Sequence, residues 1–156
     1  MHDSITVHVA APADRIWPLV SDVARIGEFS PETFEAEWLD GATGPAVGAR
    51  FRGHVKRNGR RPTYWTTCRV TRCEPQGAFA FAVIVRGKVV NTWAYELRPN
   101  GGGTDVTESF ELTNTVPLRV YWALAGRWRR KTNQDGMCTT LERIKAVVES
   151  EVVPAR

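Results

Sequence analysis

The first part of the chain changes from a period of two to a helical period. Apolar and polar residues alternate from Ile5 to Val9, which predicts a β-strand. The segment from Ala11 to Asp14 then opens a helix, with Pro12 suited to its first turn. A short second helix or turn follows as far as Phe29 and ends before Pro31, because a residue that precedes proline avoids the helical conformation.

The middle of the chain is strand-like throughout. Apolar residues at alternate positions form six segments, separated by turn signals such as Asn58-Gly59 and Gly101-Gly102-Gly103. This hairpin spacing favours one continuous antiparallel sheet, which has seven strands when the first is included. The six predicted strands are Phe34–Leu39, Arg50–Arg57, Thr63–Cys73, Phe79–Val85, Val89–Arg98 and Thr104–Leu112.

The last part of the chain is one long helical segment. Apolar residues recur at helical spacing from about Leu118 to Glu149, a length of roughly 45 Å at 1.5 Å per residue. Glycine disfavours a helix interior, so a bend is expected near Gly126. No linker, internal repeat or low-complexity segment interrupts the chain. The pattern predicts a single α+β domain over residues 1–156, a curved seven-stranded antiparallel sheet wrapped around a long C-terminal helix.

This architecture predicts a cavity. One helix about 10 Å wide cannot cover the concave face of seven twisted strands, and ligand sites are commonly apolar clefts of this kind. The sequence leaves open which residues of the fourth strand face the cavity. The inner face carries either Tyr64, Thr66, Cys68 and Val70 or Trp65, Thr67 and Arg69. The residues predicted to bind a ligand there are Phe34, Trp38, Phe51, Phe81, Val83, Trp93, Tyr95, Glu108, Phe110, Asn133 and Met137.

Glu108 is the most informative of these residues. Val106, Phe110 and Leu112 define the apolar face of the last strand, and Glu108 shares that face. A carboxylate there is paired, neutralised or in contact with a wet cavity. One interpretation is a ligand contact or an acid/base group with a raised pKa. The other is a glutamate near the strand end that reaches water or meets an arginine.

Three other polar or soft side chains on the inner face also have two interpretations. In one interpretation, Tyr95 hydrogen-bonds a ligand or acts through a water molecule as an acid/base group. In the other, it is a core aromatic residue with its hydroxyl at the rim of the cavity. Asn133 and Met137 lie one helical turn apart on the inward stripe. They either contact a ligand, or are a core methionine and an asparagine bonded to the backbone.

Composition excludes several classes of protein. Hydrophobic residues make up 42% and charged residues 24% of the chain, as in ordinary globular domains and unlike disordered or collagen-like proteins. We expect no membrane span, since no run of about 18 apolar residues occurs, and no signal peptide. The three cysteines form no CxxC and no histidine lies within about four residues of one, so we expect reduced thiols, a cytoplasmic location and no metal site.

The net charge of +4 is concentrated in two clusters. The first runs from Lys56 to Arg61 around the predicted turn, and the second comprises Arg127, Arg129, Arg130 and Lys131. Such clusters suit anionic partners, but a hairpin turn and the wet side of a helix are also usually solvated. We therefore expect no nucleic-acid partner, and a monomer or homodimer.

Catalytic motifs are not evident. The glycine run at 101–103 precedes a strand and not a helix, so it is no phosphate loop. His54 falls on the outer phase of its strand and His8 on a polar face, and there is no GxSxG elbow. We expect no cofactor, and binding is favoured over strong catalysis.

The order of these elements resembles the START-like or Bet v 1-like superfamily (SRPBCC) with its helix-grip fold. The segment Gly41–Gly53 is especially similar to actinobacterial members of the polyketide cyclase/dehydrase-like branch. The other segments that carry the resemblance are Ala11–Asp22, Phe29–Glu32, Trp93–Leu97, Gly102–Ser109 and Gly136–Lys145.

The resemblance implies a hydrophobic cavity that holds a lipid, sterol, polyketide or similar molecule. Relatives often carry a polar residue after the pair Gly53-His54, where this chain has Val55, which implies a less polar pocket. The first hypothesis is a carrier or sensor of a hydrophobic small molecule. The second is a polyketide aromatase/cyclase or dehydratase with Glu108 or Tyr95 as acid/base group, and the third a protein-interaction module with a filled core.

Overall fold

A computed structural model describes the backbone of residues 2–56, 61–113 and 116–152, and the side chains of these residues except 116–129 and 152. Two short helices, α1 and a 3₁₀ helix, follow the first strand, and a long helix α2 closes the fold. The elements are β1 His2–Val9, α1 Ala13–Ser21, the 3₁₀ helix Val23–Glu28, β2 Thr33–Trp38, β3 Arg50–Val55, β4 Tyr64–Glu74, β5 Ala78–Val85, β6 Lys88–Asn100, β7 Gly103–Leu112 and α2 Val116–Val152.

The strands form one antiparallel sheet in the order β1-β7-β6-β5-β4-β3-β2. From β2 to β7, each strand pairs with the next strand along the chain. The first strand, β1, pairs with β7 and forms one edge of the sheet. The predicted α+β helix-grip architecture is confirmed, with strand ends within a few residues of their predicted positions. The predicted turn at Asn58-Gly59 and the bend near Gly126 lie outside the residues described in full.

The two short helices begin at local signals in the sequence. Pro12 has an extended backbone and is the N-cap of α1, one position before the first turn in which it was predicted. Asp22 caps the 3₁₀ helix by accepting a hydrogen bond from the amide of Ala24 at 3.1 Å. The 3₁₀ helix packs against β2 and α1 contacts β6, and Ile16 and Leu19 of α1 are buried in the core.

Helix α2 lies across the concave face of the sheet. Met137, Leu141, Ile144 and Val148 are almost fully buried and recur at intervals of three or four residues, as the predicted inward stripe requires. In the part of the chain that the structure describes, no helix is long and apolar enough to cross a membrane.

Polar contacts fix α2 against β1. The Nε of Arg130 donates to Oδ1 of Asp3 at 2.8 Å, and the Asp3 side chain is almost completely buried. Further along, Nζ of Lys145 donates to the carbonyl of His8 at 2.8 Å, and Glu149 accepts from the amide of Ala10 at 2.8 Å. Arg130 belongs to the second predicted basic cluster, and here it has a structural partner.

The outer face of the sheet is polar, as the strand phases predicted. His8 is hydrogen-bonded to Asp105 at 2.7 Å, and both side chains are partly exposed. His54 is hydrogen-bonded to Glu35 at 2.6 Å and stacks on Trp65 with ring centroids 4.4 Å apart. The predicted positions of His8 and His54 outside the cavity are therefore confirmed.

Candidate functional site

A cavity of about 380 Å³ lies between the concave face of the sheet and α2. Its described wall includes residues of strands β3 to β7, of α2 and of the loop from Ser30 to Glu32, together with Thr33 at the start of β2. Pro31, Tyr64 and Val85 line it and are exposed, so they mark the mouth at one end of the sheet. The cavity contradicts the filled core that the third hypothesis required.

Aromatic side chains form much of the inner wall. Phe51 packs edge-on against Phe81 with ring centroids 5.1 Å apart, and Trp93 packs against Phe110 at 4.8 Å. All four line the cavity together with Val83. The strands position them because residues at alternate positions share a face, and the register pairs Trp93 with Phe110 across β6 and β7. The result is an apolar surface suited to hydrophobic ligands.

Glu108 and Tyr95 form a buried pair within this wall. The register places them directly opposite each other on β7 and β6, and the hydroxyl of Tyr95 donates to Oε1 of Glu108 at 2.9 Å. Glu108 is 4% exposed and Tyr95 5% exposed. Tyr95 therefore does not have its hydroxyl at the rim, and Glu108 neither reaches bulk water nor meets an arginine among the described residues.

Burial controls the ionisation of this pair. Removal from water raises the pKa of Glu108 to about 8, against the smaller lowering effect of the hydrogen bond from Tyr95. Burial also raises the pKa of Tyr95 well above its ordinary value, and the neighbouring carboxylate adds to that effect. Both groups are thus protonated at neutral pH. The second carboxyl oxygen of Glu108, Oε2, is buried and has no hydrogen-bond partner in the part of the chain that the structure describes.

Helix α2 supplies the opposite wall. Asn133, Met137 and Thr140 all line the cavity, and Met137 is 1% exposed. The hydroxyl of Thr140 donates to the carbonyl of Gly136 at 3.0 Å, so its hydrogen is used within the helix. Met137 packs in the interior and also faces the cavity, which combines the two interpretations that its spacing allowed.

The prediction that Phe34 faces the cavity is wrong. Phe34 is 45% exposed, and its ring lies against that of His54 with centroids 4.4 Å apart. The pairing of β2 with β3 shifts register between Thr33 and Glu35, so Phe34 is an extra residue and the alternation restarts after it.

Trp38 is on the inner side but does not line the described cavity. Its ring packs edge-on against Phe51 with centroids 5.7 Å apart, behind the surface that faces the empty space. Trp38 therefore supports the wall and does not form it.

The structure resolves the phase of β4. Tyr64, Thr66 and Cys68 line the cavity, whereas Trp65 faces outward beneath Arg52, whose guanidinium carbon lies 4.5 Å from the indole centroid. Two apolar surfaces compete for this strand, so alternation alone could not decide between them. Burial raises the pKa of the Cys68 thiol to about 12, which keeps this group neutral.

Sequence reasoning missed Asn91. Asn91 lines the cavity near Val83, and its Oδ1 is buried without a hydrogen-bond partner among the residues described in full. Its position was available from the sequence, because Asn91 lies two residues before Trp93 and therefore on the same face of β6. No group of three or more potential metal ligands occurs in the described part of the chain.

Comparison with known proteins agrees with this geometry. The family model for polyketide cyclase/dehydrase and lipid-transport proteins matches residues 3–149. The chain belongs to this family. No curated protein matches it.

Solved structures show the same fold. The solution structure of a polyketide-cyclase-like protein from Corynebacterium glutamicum is 32% identical, with 97% of this chain and 93% of that chain covered and a TM-score of 0.66. An AHSA1-like protein from Aeromonas hydrophila is 22% identical over 100% and 97% of the two chains, with a TM-score of 0.63. A protein from Mycobacterium smegmatis is 19% identical over 96% and 92%, with a TM-score of 0.68. The family and the helix-grip fold predicted by the resemblance are thereby confirmed.

Proposed function

We propose that this protein binds a hydrophobic small molecule, such as a lipid or polyketide, between the sheet and α2, and acts as its carrier or sensor. The observation that carries the proposal is the cavity of about 380 Å³ lined by Phe51, Phe81, Trp93 and Phe110. This volume falls within the range of about 300–1,000 Å³ that is usual for small-molecule sites. The family description, which includes lipid transport, supports the same function.

The composition of the wall favours binding of the ligand as a whole. Apolar residues provide contact area, and a few polar atoms, including those of Glu108 and Asn91, lie among them. Burial of apolar ligand surface contributes about 25 cal/mol per Å² before the costs of association. A site of this kind binds by hydrophobic contact and orients its ligand through few hydrogen bonds.

Native mass spectrometry of freshly purified protein tests the proposal. We expect a bound species, or binding after incubation with a lipid extract, and a rise in melting temperature with the compound that binds. The substitution Val83→Trp fills the cavity and is expected to abolish binding. Ile84→Trp is the matched control, because the neighbouring residue does not line the cavity. Absence of any bound species and of any thermal shift with lipids or polyketides would contradict the proposal.

A second candidate function is that of a polyketide aromatase/cyclase or dehydratase. The observation in its favour is the carboxyl group of Glu108, whose pKa of about 8 suits an acid/base group near neutral pH. Turnover of a polyketide mimic by the wild type and by Glu108→Gln tests it. Equal rates would exclude Glu108 from the chemistry, and a loss of about 100-fold or more would support its role.

Several expectations from the sequence stay predictions. They are a monomeric or homodimeric state, a cytoplasmic location, and the lack of a nucleic-acid partner and of a cofactor. Light scattering of the purified protein measures the first. Binding to duplex DNA at low and moderate salt tests the third, since contacts with phosphates weaken steeply with salt.

A further inference from the structure

The carboxyl group of Glu108 gives the cavity a specific polar contact as well as an apolar wall. We propose that Oε2 of Glu108 donates a hydrogen bond to a carbonyl oxygen of the ligand, so that the cavity selects apolar molecules that carry a ketone or ester group. This inference rests on the proposed function and names the ligand class of the same site. It concerns recognition and requires no chemical step.

The geometry gives the two oxygens of Glu108 different roles. Oε1 accepts the hydrogen bond from Tyr95 at 2.9 Å, whereas Oε2 is buried and has no partner among the described residues. Glu108 lines the cavity with part of its side chain, but the surface of Oε2 itself is closed off, so contact with a ligand requires a rotation of the carboxyl group towards the cavity. A buried polar atom without a partner costs about 1–3 kcal/mol, and a ligand that satisfies it recovers that cost.

The described neighbours of Glu108 are uncharged, so none of them favours the ionised form of its carboxyl group. Ile5 on β1 and Tyr95 on β6 are its cross-strand partners, and Met137 and Thr140 of α2 line the facing wall. These groups are uncharged, the tyrosine because its pKa is raised well above the ordinary value. No lysine, arginine or histidine occurs among the described residues that line the cavity.

Two more titratable groups, Cys68 and Tyr64, belong to the described wall. Cys68 on β4 is neutral, because burial raises its pKa to about 12, and Tyr64 lies at the mouth. Glu32 also lines the cavity, and as an acidic residue it brings no positive charge of its own. With no cation among the described residues that line the cavity, the carboxyl group of Glu108 keeps its proton at neutral pH, as its pKa of about 8 indicates. Because Oε1 accepts from Tyr95, the proton belongs on Oε2, which therefore acts as a donor.

This protonation state determines which ligand group fits. A carbonyl oxygen accepts from the Oε2 hydroxyl, whereas a hydrocarbon leaves the hydroxyl without a partner. A carbonyl ligand binds to the protonated form of Glu108. The affinity for such a ligand is therefore highest below the pKa of Glu108 and falls as the pH rises through about 8. A ligand held by apolar contacts alone has no such pH dependence.

A matched pair of probes tests the inference. 2-Undecanone and 2-methyl-1-undecene have nearly the same shape. The first has a C=O group where the second has a C=CH₂ group. By competition with a fluorescent neutral probe, we expect the wild type to bind the ketone about tenfold more tightly at about pH 6, and equally tightly at about pH 10. The infrared carbonyl stretch of the bound ketone should move to lower frequency at the acidic pH and lose that shift at the basic pH.

Three variants assign the effect to Glu108. Glu108→Gln retains a donor that cannot ionise, so it should keep the preference for the ketone at both pH values. The double variant Glu108→Leu with Tyr95→Phe removes the donor without leaving the hydroxyl unpaired, and should bind both probes equally. Asn91→Leu removes the other unpartnered oxygen of the wall and should leave the ketone preference unchanged.

Equal affinities of the wild type for the two probes at about pH 6 would overturn the inference and leave the proposed function intact. Binding of neither probe, together with no bound species by native mass spectrometry, would instead remove the proposed function. If Asn91→Leu loses the preference for the ketone and the double variant keeps it, the carbonyl of the ligand contacts Asn91 and not Glu108. That result would also overturn the inference. If the double variant does not fold, the pH dependence of the wild type and of Glu108→Gln still decides.

Discussion

The pKa of Glu108 predicts how the stability of the protein depends on pH. In the folded protein the pKa is about 8, compared with 4.5 for an exposed glutamate, so the folded state favours the protonated carboxyl group. The stabilisation from this group is complete below about pH 4.5 and is lost as the pH rises through about 8. One pKa unit corresponds to about 1.4 kcal/mol, so the difference between the two pKa values corresponds to a change of roughly 5 kcal/mol in the free energy of unfolding.

The substitution Glu108→Gln isolates this contribution. Glutamine has nearly the same shape and still accepts the hydrogen bond from Tyr95, but it cannot lose a proton. Urea unfolding at a series of pH values gives the free energy of unfolding of both proteins. We expect the two to be similar at about pH 5, and the variant to be more stable by several kcal/mol at about pH 9. All other groups titrate in both proteins, so their effects cancel in the difference.

Glu111→Gln is the control, because Glu111 lies on the same strand but is exposed. Its stability should follow that of the wild type to within about 0.5 kcal/mol at each pH. Parallel curves for the wild type and Glu108→Gln between pH 5 and pH 9 would refute the reasoning. They would mean that Glu108 is ionised in the folded protein or that its environment is as wet as that of an exposed glutamate.

Three further predictions concern packing and ion pairing elsewhere in the fold. Met137→Ala should lower the free energy of unfolding by about 2–5 kcal/mol and enlarge the cavity, which denaturant unfolding and a crystal structure would measure. Arg130→Ala leaves the buried carboxylate of Asp3 without its ion pair and should cost about 1–3 kcal/mol, with most of the loss absent when Asp3→Leu is already present. Phe51→Ala should cost about 3–5 kcal/mol and Phe34→Ala less than about 1 kcal/mol; similar losses would show that Phe34 is buried after all.

The fold was predictable from the sequence because its signals are local. Alternation along each strand identified the inner faces of β3, β5, β6 and β7, and glycine-rich turns set the hairpins. The helical spacing of Met137, Leu141, Ile144 and Val148 gave the stripe of α2 that packs on the sheet. Each of these patterns depends on residues that are neighbours along the chain, so a single sequence contains them in full.

Register shifts limited the prediction at β2. Alternation placed Phe34 with Trp38 on the inner face, but the bulge between Thr33 and Glu35 turns Phe34 outward onto His54. A bulge depends on the pairing of two strands, and it has no signal in the strand that contains it. The phase of β4 was undecided for a related reason, since Trp65 has an aromatic site on the outer face beside His54.

By itself, the sequence determined the elements, the antiparallel hairpin order from β2 to β7 and the presence of a carboxylate, Glu108, on the inner face of β7. Only the tertiary structure decided the chemical state of that carboxylate. Its pKa depends on the water that β6 and α2 exclude and on the hydroxyl that Tyr95 brings to within 2.9 Å from 13 residues away. Local pattern indicates which way a side chain points in a strand without a bulge, whereas solvation and hydrogen bonding depend on groups that meet only when the chain has folded.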